Sequence, residues 1–278
     1  MEMSVFFCVG LRLKEKIEKY HDPWNNTRMN TIHITFSSDG LQLKGTLHLP
    51  EADPPATARN ERAGLPPVVI GSHGLLSNSR SPKQIALARE CNAHGIAYFR
   101  FDHRGCGQSD GVFKEVTSLE GRRNDLISAV NFIQGRTDIG NRIGLFGSSL
   151  GGAVCMSATD ALDIHAWFTY AAPVRSSSIA SALKKSDDAE MLNPLLDQKQ
   201  LQWDISDQLH LLHHIFVLHG DSDLIVSPAH AHEIYTKASH PKKLIIQKGG
   251  NHGMSNKKHQ QDFLRDAVNW FEEWLAKS

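Results

Sequence analysis

The stretch Arg142-Ile143-Gly144-Leu145-Phe146-Gly147-Ser148-Ser149-Leu150-Gly151-Gly152 decides how this chain is read. Its first half is a short apolar run of the kind that forms a strand covered on both faces, and its second half opens a helical pattern. Between them stands Gly-x-Ser-x-Gly. Glycines two before and two after the serine permit a sharp strand-to-helix turn that no side chain at those positions would clear, and the turn lifts Ser149 above the sheet. The start of the following helix places backbone N–H groups and a positive dipole end where negative charge would develop. Ser149 is therefore the candidate nucleophile.

Outward from this turn, apolar runs alternate with helical stretches. The expected strands are Val68 to Ser72, Ala97 to Asp102, Arg142 to Phe146, His165 to Ala171, Ile215 to His219 and Lys243 to Gln247. The expected helices are Pro82 to Ala93, Ser118 to Gln134, Leu150 to Ala161, Ala229 to Ala238 and His259 to Lys277, the last with Phe263, Ala267, Trp270, Phe271 and Trp274 at helical spacing. Upstream, Thr31 to Phe36 and Leu41 to Leu49 flank Ser38-Asp39-Gly40 and read as an antiparallel hairpin, followed by a proline-rich loop from Pro50 to Pro67. The pattern predicts an α/β fold with a mostly parallel central sheet, helices on both faces and right-handed crossovers. In such a fold, reactive groups gather beyond the carboxyl ends of the strands.

A serine hydroxyl needs a base, and a chain with 16 histidines offers many. His252, in Gly249-Gly250-Asn251-His252-Gly253, follows the last strand and precedes the last helix, the place the order serine, acid, histidine assigns to the base. The acid should follow the preceding strand, where Gly220-Asp221-Ser222-Asp223 supplies two carboxylates. Asp223 is preferred as the orienting acid, and Asp221 is read as shaping the loop. The two oxyanion donors are expected to be the N–H of Leu150, next to the nucleophile, and that of Leu75 in Ser72-His73-Gly74-Leu75-Leu76. His73 is read as a buried histidine holding that loop.

These segments, together with Asp102-His103-Arg104-Gly105-Cys106-Gly107-Gln108-Ser109-Asp110-Gly111, occur in the order and spacing of the α/β-hydrolase superfamily. The chain resembles the bacterial cinnamoyl and feruloyl esterases and is similar to the serine aminopeptidase-like hydrolases, over roughly residues 31 to 277. The resemblance implies an α/β-hydrolase fold with a Ser149, His252, Asp223 triad. It also implies that Asp102 and Arg104 brace loops beside the oxyanion hole, with a substrate-carboxylate clamp as the alternative reading of Arg104. The esterases of that branch carry His and Gln around the serine where this chain has Ser148 and Leu150, so the likeness extends to fold and triad rather than to a hydroxycinnamate substrate.

The expected organisation is an N-terminal extension over residues 1–28, accessory or a start-site artefact and holding at most a short amphipathic helix, followed by a hydrolase domain over 29–278. An insertion at about 174–213 carries Leu192, Leu195, Leu196 and Trp203 and is read as a small helical cap walling an apolar pocket, against the alternative of an ordinary crossover with an extra helix.

Charge supports a small-molecule substrate: 30 basic and 30 acidic residues cancel, leaving no global field for nucleic acid or anionic membrane. The apolar run Val5 to Leu11 is too short for a membrane span and lacks the flanks of a signal peptide. Four scattered cysteines suggest a reducing, cytoplasmic setting. No cofactor and no metal is called for, since His230, His232, Glu233, His210, His213 and His214 lack zinc-protease spacing.

The expected activity is hydrolysis of small to medium apolar carboxylic esters. Thioester or aminoacyl amide cleavage with the same triad, acyl transfer, and a non-catalytic binding module remain the alternatives. A homo-oligomer is left open.

Overall fold

Asp39 and Gly40 both adopt positive φ, 47° and 82°, and close a two-residue turn that pairs Ser38 with Leu41. That backbone twist suits a tight hairpin, so β2 (Arg28–Ser38) and β3 (Leu41–Leu49) form as the alternating sequence and Asp-Gly signal predict. The computed structural model describes residues 17–21, 28–51, 64–177 and 199–275. Before the hairpin, β1 (Ile17–His21) pairs antiparallel with β2. The upstream segment thus contributes an edge strand to the sheet at these positions, where a helix was the expectation.

The remaining strands are β4 (Val68–Ser72), β5 (Ala97–Phe101), β6 (Ile143–Ser148), β7 (Ala166–Tyr170), β8 (Ile215–Gly220) and β9 (Lys242–Gln247). They complete a nine-stranded sheet in the order β1-β2-β3-β5-β4-β6-β7-β8-β9, parallel from β5 to β9. Continuous apolar runs serve two faces at once because successive side chains alternate. Val68, Ile70, Leu145, Trp167, Ile215 and Val217 join the core on one face, whereas Val69, Tyr98, Phe146, Phe168, Phe216 and Leu218 join the core on the other.

The helices are α1 (Pro82–Ala93), α2 (Phe113–Val116), α3 (Leu119–Gln134), α4 (Leu150–Ser157), α5 (Ala229–Lys237) and α6 (Lys257–Leu275). α3, α4 and α5 cover the first face through Leu126, Val130, Val154 and Ile234. α1 and α6 cover the second through Leu87, Phe263, Ala267 and Phe271. α4 stops at Ser157, short of the expected Ala161, where the Ser157 hydroxyl turns back onto Val154 O at 2.8 Å.

The expected cap falls largely on residues 178–198, with Leu192, Leu195 and Leu196, outside the described residues. Its two ends are described. Arg175 bridges Asp204, Ile205 N–H donates to Val174 O at 3.0 Å, and Ser176 N–H donates to Trp203 O at 3.0 Å. Trp203, read from the sequence as a pocket wall, stands in this neck half-buried against the core beneath it.

Candidate active site

Ser149 sits between β6 and α4 at φ 55°, ψ −126°, a conformation costly for any residue with a Cβ. Close packing enforces it. A Cβ on Gly147 would lie 2.5 Å from Gly151 O, and one on Gly151 would lie 2.1 Å from Ser72 O. The Ser149 N–H is tied to Tyr170 O at 2.8 Å. The turn is thus clamped by strands β4 and β7 on its two sides.

His252 lies in the loop between β9 and α6. Its Nε2 is 3.0 Å from Ser149 Oγ and its Nδ1 is 2.8 Å from Asp223 Oδ2. Since a carboxylate only accepts, Nδ1 carries the proton and Nε2 accepts from the serine hydroxyl. The Tyr170 hydroxyl donates to Asn251 O at 2.6 Å, so the residue that holds the serine turn by its carbonyl also holds the histidine loop by its side chain.

Asp223 is buried in the loop after β8. Its Oδ1 accepts from the N–H groups of Ile225 and Val226, each at 2.9 Å. Burial alone would raise its pKa. The donors His219 and His252, with the Val226 N–H, outweigh that and hold the carboxyl well below the usual carboxylate range. Asp221 is turned elsewhere: its Oδ1 accepts from Gly249 N–H at 2.6 Å and Ser222 Oγ–H at 2.9 Å, tying the acid loop to the histidine loop. Ser149, His252 and Asp223 are brought together, and Asp221 is not among them.

The loop after β4 runs beside the serine. A Cβ on Gly74 would stand 3.5 Å from Ser149 Cβ. Neither the Leu75 N–H nor the Leu150 N–H has an acceptor among the described residues. His73 Nε2 accepts from His103 N–H at 3.0 Å, so its Nδ1 bears the proton and donates to Gly74 O at 2.8 Å. Burial pushes the His73 pKa well below that of a free imidazole, as befits a neutral ring bracing the loop.

Asp102 accepts from Ser79 N–H at 2.7 Å and Gln108 N–H at 2.9 Å, bracing two loops. Arg104 is occupied by Asp125, through Nε at 3.0 Å and Nη2 at 2.8 Å, and by Asp39 at 2.8 Å, which favours the bracing role over a substrate clamp. Of the other histidines, His230 Nδ1 accepts from Val174 N–H at 3.2 Å, and His210 Nδ1 lies 2.7 Å from Asp207 O. Glu233 pairs with Arg175 and Lys237. No group of three or more metal-ligating side chains occurs among the described residues.

Sequence reasoning missed three residues here: His219, Tyr170 and Arg122, whose guanidinium donates to Gly74 O at 3.2 Å and Leu75 O at 3.1 Å. Tyr170 ends β7 and His219 is the penultimate residue of β8, each with a polar group on the site side, a signal that strand position alone could have raised.

A sheet of this order, with a serine elbow after β6 and a histidine loop after the last strand, defines an α/β hydrolase. Residues 66–206, just over half the chain, match the serine aminopeptidase S33 family, and the chain belongs to that family of serine hydrolases. Among curated relatives, Escherichia coli YfhR, itself described as uncharacterized, is 26% identical over 287 residues, covering 95% of this chain and 93% of YfhR. The Bos taurus mitochondrial palmitoyl-protein thioesterase ABHD10 is 36% identical over 104 residues, only 37% of this chain and 32% of that protein. Among solved structures, Est1E from Butyrivibrio proteoclasticus, with ferulic acid bound, superposes with a TM-score of 0.71 at 21% identity, covering 88% of this chain and 100% of that one. That likeness is one of fold. No helix among the described residues is long and apolar enough to cross a membrane.

Proposed function

We propose that this protein is a serine carboxylester hydrolase that cleaves esters of small to medium apolar acyl or aryl groups through an acyl-enzyme, with Ser149, His252 and Asp223 as its triad. The observation that carries the reading is the unbroken relay from Ser149 Oγ to His252 Nε2 at 3.0 Å and from His252 Nδ1 to Asp223 Oδ2 at 2.8 Å. In this scheme Ser149 Oγ bonds to the acyl carbon while His252 Nε2 takes its proton. The carbonyl oxygen becomes an anion held by the Leu75 and Leu150 N–H groups. Collapse expels the alcohol, which leaves with the proton from His252, and water repeats the steps to free the acid and restore Ser149. Leu76 and Leu224 are exposed and directly follow Leu75 and Asp223 in the chain, which makes them the side chains on which apolar acyl recognition is to be tested.

Thioester cleavage is the second reading, favoured by the partial similarity to a palmitoyl-protein thioesterase. The test is a substrate panel: p-nitrophenyl esters of graded acyl length, the matching acyl thioesters, and aminoacyl p-nitroanilides. We expect the short and medium oxygen esters to have the highest kcat/KM. Better turnover of thioesters moves the assignment to a thioesterase, and better turnover of anilides moves it to an aminopeptidase. Ser149→Ala should lower kcat by roughly 10³-fold or more and abolish fluorophosphonate labelling, while Ser148→Ala should do neither. A labelled, active Ser149→Ala protein would sink the proposal.

A further inference from the structure

Arg122 projects from α3 and is fully buried, yet among the described residues its hydrogen-bond partners include no carboxylate. Its Nη1 donates to Gly74 O at 3.2 Å, and its Nη2 donates to Leu75 O at 3.1 Å and approaches Cys106 Sγ at 3.2 Å. Its Nε has no hydrogen-bond partner among the described residues. The neighbouring carboxylate, Asp125, is taken by Arg104 instead. A buried guanidinium without a counter-ion in contact is costly. The compensation lies in what it holds, the two carbonyls of the loop beside Ser149.

The first of those carbonyls matters most. Gly74 O receives two donors, Arg122 Nη1–H and His73 Nδ1–H at 2.8 Å. A trans peptide is planar, with its C=O and N–H pointing in opposite directions, so fixing the Gly74 oxygen on one side fixes the Leu75 N–H on the other. Gly74 itself borders the serine, with room for only an ordinary 3.5 Å contact between an added Cβ and Ser149 Cβ.

We infer that Arg122 is a positioning residue for the oxyanion hole: it locks the Gly74–Leu75 peptide with the Leu75 N–H facing the reacting carbonyl oxygen, and its guanidinium charge stands behind that peptide. The inference rests on the proposed hydrolase reading. It makes Arg122 more than a tie between α3 and a loop, because such a tie would affect stability without distinguishing the ground state from the tetrahedral state.

The experiment compares wild type, Arg122→Gln, Arg122→Lys and Ser149→Ala on one p-nitrophenyl ester. Alongside, it measures inhibition by the matching trifluoromethyl ketone, which forms a tetrahedral oxyanion on the serine, and by the isosteric alcohol, which does not. For Arg122→Gln we expect kcat to fall about 10- to 100-fold, with KM nearly unchanged and ketone affinity weakened in parallel, since loss of a whole oxyanion donor is worth about 10²- to 10³-fold. Alcohol binding should not move. Arg122→Lys, whose point charge cannot hold both carbonyls, should lose about 10-fold or less, and it carries the comparison if the Gln variant does not fold. A folded variant with wild-type kcat, or equal weakening of ketone and alcohol, overturns the inference alone. A wild type that neither hydrolyses the ester nor binds the ketone overturns the site reading and the inference together.

Discussion

His219 Nε2 lies 3.3 Å from Asp223 Oδ2, the same oxygen that accepts from His252 Nδ1 at 2.8 Å, so one carboxylate oxygen is flanked by two imidazoles. They are not equivalent. His219 is fully buried near the end of β8 and shares its one Nε2 proton between Val226 O at 2.9 Å and Asp223 Oδ2 at 3.3 Å, whereas His252 reaches the serine. Replacing His219 by Ala should leave a buried carboxylate short of a neighbour that holds it ionised. Hydrogen bonds to charged groups contribute about 1.5–3 kcal/mol. We expect a loss of that order in urea denaturation, and a lower kcat with KM retained. Wild-type stability and turnover in His219→Ala would show that His252 alone suffices to anchor Asp223.

The two aspartates of the same loop should separate cleanly in kinetics. Asp223→Asn keeps the shape but favours the wrong imidazole tautomer, and turnover should fall by about 10⁴-fold, as for triad acids generally. Asp221→Ala removes only the acceptor for Gly249 N–H and Ser222 Oγ–H. A net hydrogen bond contributes about 0.5–1.5 kcal/mol, so thermal melting should shift by a few degrees with kcat nearly intact. Equal kinetic damage at equal stability would leave the acid unassigned.

Stability should fall with acid from an unusually high pH. Burial, the largest cause in each case, lowers the pKa of His48 to about 3, of His103 to about 4 and of His73 well below the ordinary imidazole value. Groups neutral in the fold but protonated when unfolded destabilise as pH drops below their unfolded pKa, near 6.5. Three such protons, each worth about 1.4 kcal/mol per pH unit, give a slope of about 4 kcal/mol per unit between roughly pH 6 and pH 4. Asp125 and Asp223, whose pKa values are depressed, add their share only below about pH 4, where the unfolded carboxylates protonate. Urea melts from pH 8 to pH 4 measure this. His48→Gln should flatten the slope by about one proton, and a profile level down to pH 4.5 would contradict the neutral-histidine account.

Leu224 is the most exposed large apolar side chain described, at 89%, and it directly follows Asp223. If it receives the substrate, Leu224→Ser should raise KM for a hexanoyl ester by about 3- to 10-fold, with kcat and the KM for the acetyl ester little changed, since burying a leucine is worth about 1.5–3 kcal/mol at most. Equal effects on both chain lengths would remove Leu224 from the acyl path.

Much of this arrangement is legible in the amino-acid sequence. The parallel strands are legible because runs such as Val68 to Ser72 and Ile215 to Gly220 must be apolar on both faces, and the elbow because glycine alone clears the contacts of Gly147 and Gly151. The meeting of Ser149, His252 and Asp223 followed from strand ends that converge. β1 was not legible, since Ile17-Glu18-Lys19-Tyr20-His21 has neither alternation nor an apolar run, and its pairing depends on β2. Arg122 was hidden for a different reason. Its partners lie 47 and 48 positions away in the chain, and a basic residue in a helical stretch looks like a solvated face until the packing shows otherwise.

The neck formed by Val174 to Ser176 against Trp203 to Ile205 gives the described chain a closed socket between β7 and β8. Both rims are fastened to each other by backbone bonds, so a change of chain length between them should leave Ser149, Asp223 and His252 in place. Evolution can exchange that span, and a protein engineer can transplant it, as an interchangeable cassette.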